Sequence, residues 1–304
     1  MSLIAALVAV PLIAAVLLML FRSESQRNVI TIAAAAITGV TAVAFAVQYL
    51  FVGHVSFALP QETSYIATWV FTAIDIVLCA VILWHAVRYK NRLALVLGLV
   101  QTVGVIAFAN MTLSEGAGHM LPEPLYSDQL SVIMVLIVGL VGSAICVYAL
   151  GYMEDFQAHE PEGALDRRPT FFALMFVFLS AMYVIVFADH MTWLFTGWEV
   201  TTVCSFLMIG YTRTDEAIKN SFRQINLNMI GGLAFLAALI MLHFGGIELS
   251  LAAFIVTAST TQAAVLIFPI LLLSVAGLTK AAQMPFHSPA PLLHDGQGRR
   301  LSAG

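Results

Sequence analysis

Lys280 interrupts an apolar tract. In GLTKAAQMPFH, residues 277–287, it is the only charged residue, and a proline follows five positions later. The surrounding run AAVLIFPILLLSVAGLTKAAQM, residues 263–284, is long enough to cross a bilayer, so the ammonium sits in or beside hydrocarbon. A charge at that depth is costly unless it is paired, hydrated or working. Glu199 raises the same problem, lying near the middle of DHMTWLFTGWEVTTVCSFLMIGY. A buried amine and a buried acid in neighbouring segments govern each other's proton occupancy, because each charge stabilises the other and the balance shifts with their separation. That is the chemistry of a proton-transfer step, with Glu199 and Lys280 as carriers.

Polar residues at helical spacing accompany both charges. Thr196, Glu199 and Thr202 follow one another at intervals of three and so share a helix face able to hydrogen-bond a proton or a water chain. The next segment carries Asn220, Gln224 and Asn228 at intervals of four, then Gly231 and Gly232, which permit close helix packing. Gln283 and His287 fall three and seven residues after Lys280 and extend its polar face. Amides and hydroxyls also serve as helix–helix glue, on the order of 1 kcal/mol per contact. A mid-membrane acid and amine fit that role badly, since apolar packing replaces a structural pair at little cost. Pro285 removes one helical hydrogen bond and clashes with the preceding turn, so the helix should break near Lys280; Pro269 leaves a plain kink as the alternative. Broken helices at membrane depth are tolerated where the freed backbone is buried in protein or lines a wet cavity, and in transporters they mark ion sites. Asp75, in VFTAIDIVLCA, is a third intramembrane acid, open between pairing with a polar neighbour and a role in function. Asp189 and His190 fall at a helix junction, where a capping role suits them.

The elements that must position these residues are hydrophobic helices. Of 304 residues, 61% are hydrophobic and 10% charged, against about 25% charged in an ordinary soluble domain. Apolar tracts long enough to span recur near 2–21, 29–52, 66–87, 93–111, 130–152, 170–188, 190–211, 222–243 and 263–284, with no room for a soluble domain between them. The fold class expected is an all-α polytopic membrane protein of about nine transmembrane helices. The first tract lacks a basic N-terminus and has too long an apolar core for a cleaved signal, so it reads as a retained helix. Cys79, Cys146 and Cys204 lie inside hydrophobic segments without CxxC spacing, as small core residues do. With the N-terminus outside, nine crossings place Arg22, Arg27, Arg88, Lys90, Arg92, Arg167, Arg168, Arg213, Lys219, Arg223, Arg299 and Arg300 on the inner face, while the outer loops 53–65, 112–129 and 244–262 hold no Lys or Arg. Lys280 is the basic residue left over. No metal-ligand cluster, nucleophile–base set or nucleotide loop stands out, which argues against a membrane enzyme.

The run FADHMTWLFTGWEVTTVCSFLMIGY, followed by GLTKAAQMPFHS, resembles the proton-conducting core of the antiporter-like subunits of respiratory complex I and of Mrp-type multisubunit sodium/proton antiporters. LYSDQLSVIMVLIVGLVGSAICVYALGYM, residues 125–153, is similar to that family's third helix with its upstream aspartate. The resemblance implies that Glu199 and Lys280 form the family's proton-loading pair, with Lys280 on a broken helix, and it places His287 in the Mrp-like form of the motif. It further implies no redox cofactor in this chain, partner subunits of a membrane arm, protons as the transported ion with sodium as a second candidate, no nucleic acid, and a multi-pass place in the cell's inner membrane.

The resemblance divides the chain into N-terminal helices 1–124, a proton-conducting core 125–288 and a tail 289–304. Two hydrophobic segments, near 66–87 and 93–111, precede the part that matches, and Gly232 stands where the family sometimes has an acid. Beyond Ser288 the chain reads PAPLLHDGQGRRLSAG, a polar Gly- and Pro-containing tail expected to be disordered and to leave the first repeat incomplete. The leading expectation is a proton-translocating membrane-arm subunit of a complex I-like redox-driven pump. The alternatives are a subunit of an Mrp-type cation/proton antiporter or ion-coupled uptake system, and a truncated, non-conducting membrane fragment.

Overall fold

Helices account for nearly all of the computed structural model, which describes residues 2–21, 23–53, 55–116, 123–159, 166–260 and 266–283. In chain order they are α1 Ser2–Leu20, α2 Glu24–Val52, α3 Gln61–Arg88, α4 Arg92–Ser114, α5 Gln129–Leu136, α6 Ser143–Ala158, α7 Arg168–Phe187, α8 Met191–Ile209, α9 Asp215–Phe244, α10 Leu251–Thr260 and α11 Ile267–Lys280. A π-helical turn, Ile137–Gly142, joins α5 to α6 into one rod. Two short strands, β1 Val55–Phe57 and β2 Leu125–Ser127, pair antiparallel.

Seven helices among the described residues are long and apolar enough to cross a membrane: α1, α2, α3, α4, the α5–α6 rod, α7 and α9. To these the chain adds α8, with 19 residues, and the shorter apolar α11, with 14. The protein is an all-α polytopic membrane protein, and these nine elements correspond to the nine tracts read from the sequence. One feature differs. The segment 244–262, expected to be an outer loop, contains the ten-residue α10. Asp189 accounts for it: its carboxylate accepts from Ser250 Oγ at 2.5 Å and from Ala252 N at 2.9 Å, pinning the first turn of that helix.

The chain packs as two compact units, Met1–Phe57 with Leu125–Ala188, and Ala58–Pro124 with Asp189 onward. In the first, α1 lies against α7 and α2, and α2 lies against the α5–α6 rod. Ser180 Oγ donates to Val8 O at 2.9 Å, and Phe45 meets Phe187 edge to face. Arg27 and Arg168 engage Glu24 and Asp166 in a four-member charge network, with the Arg168–Asp166 contact at 2.9 Å. That network brings the N-terminal ends of α2 and α7 to one side of the unit.

In the second unit, α3 and α4 form a hairpin that packs on α8 and α9, and α9 carries α11 along its length. Basic residues again gather at one end. Tyr89, beside Arg88 and Lys90, contacts Phe222, next to Arg223. At the other end His243 of α9 meets Glu115 just past α4. Helix starts are capped by ordinary means: Thr214 accepts from Ala217 N ahead of Asp215 and Glu216, and His190 Nδ1 accepts from Thr192 N. Side chains on the outer faces are apolar and exposed, as at Val103 and Trp84, which is the surface a hydrocarbon solvent requires.

Candidate functional site

Helix α11 stops at Lys280. Ala282 turns into the left-handed region at φ 49°, and Gln283 N bonds back to Leu278 O, closing the helix with a Schellman-type ending. The break expected near Lys280 is therefore present. Pro285, invoked as its cause, and His287 lie outside the described residues. Ending the helix here also alters the expected polar face: Gln283 follows the turn rather than the helix and is exposed, so it does not continue the stripe that Lys280 begins. Three-residue spacing carries a residue onto a shared face only while the helical φ/ψ persists.

From the end of α11 the Lys280 ammonium reaches α8. Its Nζ donates to Trp198 O at 3.0 Å and to Thr202 Oγ1 at 2.7 Å, and it lies 5.1 Å from the centre of the Trp198 ring. Thr202 in turn donates to Trp198 O at 3.0 Å, so hydroxyl, carbonyl and ammonium form a closed triangle. Close approach of α9 and α11 makes this reach possible. A Cβ at Gly231 would collide with Thr279 Oγ1, one residue before the lysine.

Glu199 follows Trp198 on α8 and is 2% exposed. No ion pair joins it to Lys280 among the described residues; Thr202, one turn along the same face of α8, is the hydroxyl that the ammonium meets. Both carboxylate oxygens of Glu199 lack a hydrogen-bond partner among the described residues. Gly232 of α9 makes room for them: a Cβ there would collide with Glu199 Oε1 and lie 3.6 Å from Gln101 Nε2. The glycine noted in place of an acid thus leaves the space that the Glu199 carboxylate occupies. Leaving a carboxylate buried and unbonded is costly, and such groups concentrate at working sites.

Thr196, the third member of the α8 stripe, faces Asp75. Its Oγ1 donates to Asp75 Oδ2 at 2.7 Å, while Asp75 Oδ1 is unpartnered and the residue is 4% exposed. The stripe Thr196–Glu199–Thr202 therefore runs between the buried Asp75 of α3 at one end and the partly buried Lys280 of α11 at the other. The amide stripe on α9 is partly in place: Gln224 and Asn228 are buried, Asn228 Nδ2 donates to Gln224 O at 3.0 Å, and Gln224 Oε1 is unpartnered. Sequence reasoning missed Gln101, whose side chain is 1% exposed against Glu199. A lone amide in the apolar tract RLALVLGLVQTVGVIAFANM was the available signal. Trp198 carries no mark in the sequence, because nothing there identifies a backbone carbonyl as a cation's acceptor. Cys79, Cys146 and Cys204 are all buried inside helices.

An acid, an amine and hydroxyls thus gather within one unit of a polytopic helical membrane protein. Residues 188–297 match the family described as "NADH:quinone oxidoreductase/Mrp antiporter, TM", and residues 119–161 match "NADH-Ubiquinone oxidoreductase (complex I), chain 5 N-terminus". The chain belongs to this antiporter-like family of membrane subunits. Among curated proteins, it is 31% identical over 165 residues to Na(+)/H(+) antiporter subunit A1 of Staphylococcus haemolyticus, a match covering 54% of this chain and 19% of that protein. It is 28% identical over 165 residues to the subunit of the same name from Staphylococcus aureus, covering 54% of this chain and 20% of that protein. The chain spans about a fifth of the length of these relatives. Helices α3 and α4, with Asp75 and Gln101, lie outside both matched ranges.

Proposed function

We propose that the chain is a proton-translocating subunit of a multisubunit membrane assembly, in which Glu199 and Lys280 hold and pass the proton. The observation that carries this reading is the Lys280 ammonium bound to the Trp198–Thr202 turn, on the same helix as a buried Glu199 carboxylate whose oxygens have no hydrogen-bond partner among the described residues. A buried charge lacking a partner is stabilised by taking up a proton, and a neighbouring cation opposes that uptake. Moving the end of α11 against α8 therefore switches Glu199 between empty and loaded. Thr202 is the hinge of the exchange, since it contacts the ammonium and shares a helix face with the acid. Gln224 and Asn228 extend the polar path along α9.

The working setting that fits best is a cation/proton antiporter of the Mrp type, which the names of the relatives favour. A complex I-like redox-driven pump is the second reading, supported by the family description that pairs the two. Either setting places the chain, multi-pass and N-terminus outside, in a cytoplasmic membrane beside other membrane subunits, and uses the same pair of residues.

The test uses the native assembly in inverted membrane vesicles with a fluorescent reporter of the proton gradient. Glu199→Gln and Lys280→Ala should each reduce proton movement at least tenfold while the chain stays in the membrane. Full flux in Glu199→Gln rejects the reading and leaves a chain that conducts nothing through this pair. Sodium addition and quinone reduction are compared as driving forces in the same vesicles: a sodium-driven response favours the antiporter and a redox-driven one the pump.

A further inference from the structure

Helix α3 carries a line of polar residues that the Glu199–Lys280 pair does not use. Its buried face reads Ser64, Thr68, Thr72, Asp75, Cys79, Ile82 and Ala86. The half from Ser64 to Asp75 is made of hydroxyls and an acid, spaced three or four residues apart. The half beyond Cys79 is apolar. At about 1.5 Å per residue the polar half runs roughly 16 Å along the helix, from its first turn to its middle. A packed face that needed only bulk would not turn apolar at its midpoint. Hydrogen bonds anchor the line to α8 at two levels: Trp193 Nε1 donates to Thr68 Oγ1 at 2.9 Å, and Thr196 donates to Asp75.

Where the line ends, the two acids line one gap, together with Leu78, Cys79, Gln101 and Phe195. The gap is too narrow to hold a water molecule. Four oxygens on its walls lack hydrogen-bond partners among the described residues: Asp75 Oδ1, Gln101 Oε1 and both oxygens of Glu199. Two carboxylates facing one dry gap cannot both stay ionised, because nothing screens their repulsion. One proton between them relieves the repulsion and gives an unpartnered acceptor a donor. The other titratable groups about this gap are Cys79 on α3, Cys204 on α8 and Lys280 on α11; α9 presents only Gly232 and the amides Gln224 and Asn228.

We propose that Asp75 is a proton donor to Glu199, supplied along the Ser64–Thr68–Thr72 line of α3, so that the α3–α4 hairpin forms a proton-entry arm for the site. In the transfer, the O–H bond of the Asp75 carboxylic acid breaks as one forms on the Glu199 carboxylate, and Asp75 recovers its proton from the hydroxyl line. Thr196 holds Asp75 through Oδ2 and leaves Oδ1 turned to the gap. Gln101 lines the same gap beside the Glu199 carboxylate. The proposal rests on Glu199 being a carrier, as above, and adds the residue that loads it.

The experiment separates the two ideas. Asp75→Asn, Thr72→Val and Glu199→Gln are made in the native assembly, with Asp166→Asn, in the first unit's charge network, as control. Proton flux is measured in vesicles, and infrared difference spectra of the purified assembly follow the C=O band of protonated carboxyls through a pH titration. Asp75→Asn should lower flux at least tenfold and shift the titration midpoint of the Glu199 band, identified by its loss in Glu199→Gln, by about one pH unit or more. Thr72→Val should lower flux several-fold and leave the band in place. Asp75→Asn with normal flux and an unmoved Glu199 band overturns the proposal while leaving Glu199 as a carrier. Loss of flux with an unmoved band overturns it as well, since Asp75 then serves only packing, and so does a change confined to the sodium dependence of flux. Where Asp75→Asn fails to assemble, Asp75→Glu gives the same reading: a shifted Glu199 band supports the transfer and an unshifted one rejects it.

Discussion

The two units of this chain handle buried charge in opposite ways. In the first, Arg27 is 3% exposed, yet its guanidinium meets Glu24 and Asp166, and Arg168 closes the network from α7. Each charge there has an opposite charge within 4 Å, and the acids Glu24 and Asp166 are partly exposed, although Arg27 Nε and Nη1 make no hydrogen bond among the described residues. In the second unit, among the described residues, neither oxygen of Glu199 has a hydrogen-bond partner and Asp75 has one oxygen without one, in a gap too narrow for water. The contrast separates a charge network that fixes helix ends from a charge arrangement poised to change occupancy. The first kind gains from having an opposite charge set against every charge. The second functions only if some pairing is left incomplete.

Changes that intrude on the Glu199 carboxylate should break this contrast most sharply. Gly232→Val fills the space that Glu199 Oε1 occupies, and we expect loss of proton flux in vesicles of at least tenfold with the chain still inserted. Retained flux would mean that the space beside the carboxylate is not needed. Next in size is the lysine anchor. Thr202→Val removes the hydroxyl accepting from Lys280, a hydrogen bond to a charge, and should be read as a several-fold loss of flux that Thr202→Ser restores. Gly231→Ala crowds Thr279, and the double variant Gly231→Ala/Thr279→Ala should recover most of the lost thermal stability; equal melting of single and double variants would show that α9 and α11 do not depend on that approach.

Smaller effects sharpen the comparison through pH. His190, at the junction before α8, has its pKa pushed down to about 4 by burial. Its neutral ring stabilises the fold above its ordinary value near 6.5, and that contribution is lost as pH falls from there toward about 4. Melting curves of the wild type should therefore weaken over that range, and His190→Asn, which keeps an N-cap acceptor, should weaken less. In the first unit, burial raises the Asp166 pKa, but hydrogen bonds from Arg168 and the charges of Arg168 and Arg27 outweigh it and hold the carboxyl below its ordinary value. That stabilisation is complete above about pH 4 and is lost as pH falls through the lowered value. At neutral pH, Asp166→Asn should cost under about 1 kcal/mol, as partly exposed pairs do, and leave flux unchanged. A large loss of flux in that variant would erase the distinction between the units.

Much of this was legible in the residues. The spans were readable because a bilayer demands long apolar helices, and only α10 escaped, since ten residues in a polar-flanked loop carry no spanning signal. Glu199, Lys280 and the Thr196–Thr202 face were readable because intramembrane charges are rare enough to be noticed and helical spacing is regular. Gln283 was misplaced because spacing says nothing once the helix ends. Asp75 was visible but unassignable, and Gln101 was overlooked.

By itself, then, the sequence determined that this is a polytopic helical protein, where its spans run and which buried charges need explaining, because hydrophobicity and charge are local properties that a bilayer reads directly. Only the tertiary structure decided that Lys280 rests on the Trp198–Thr202 turn rather than on Glu199 itself, and that Asp75 and Glu199 share one dry gap. Those facts depend on which faces of α3, α4, α8, α9 and α11 meet and on how closely Gly231 and Gly232 let them approach, and a helix's rotation against its neighbours is set by packing that no single segment encodes.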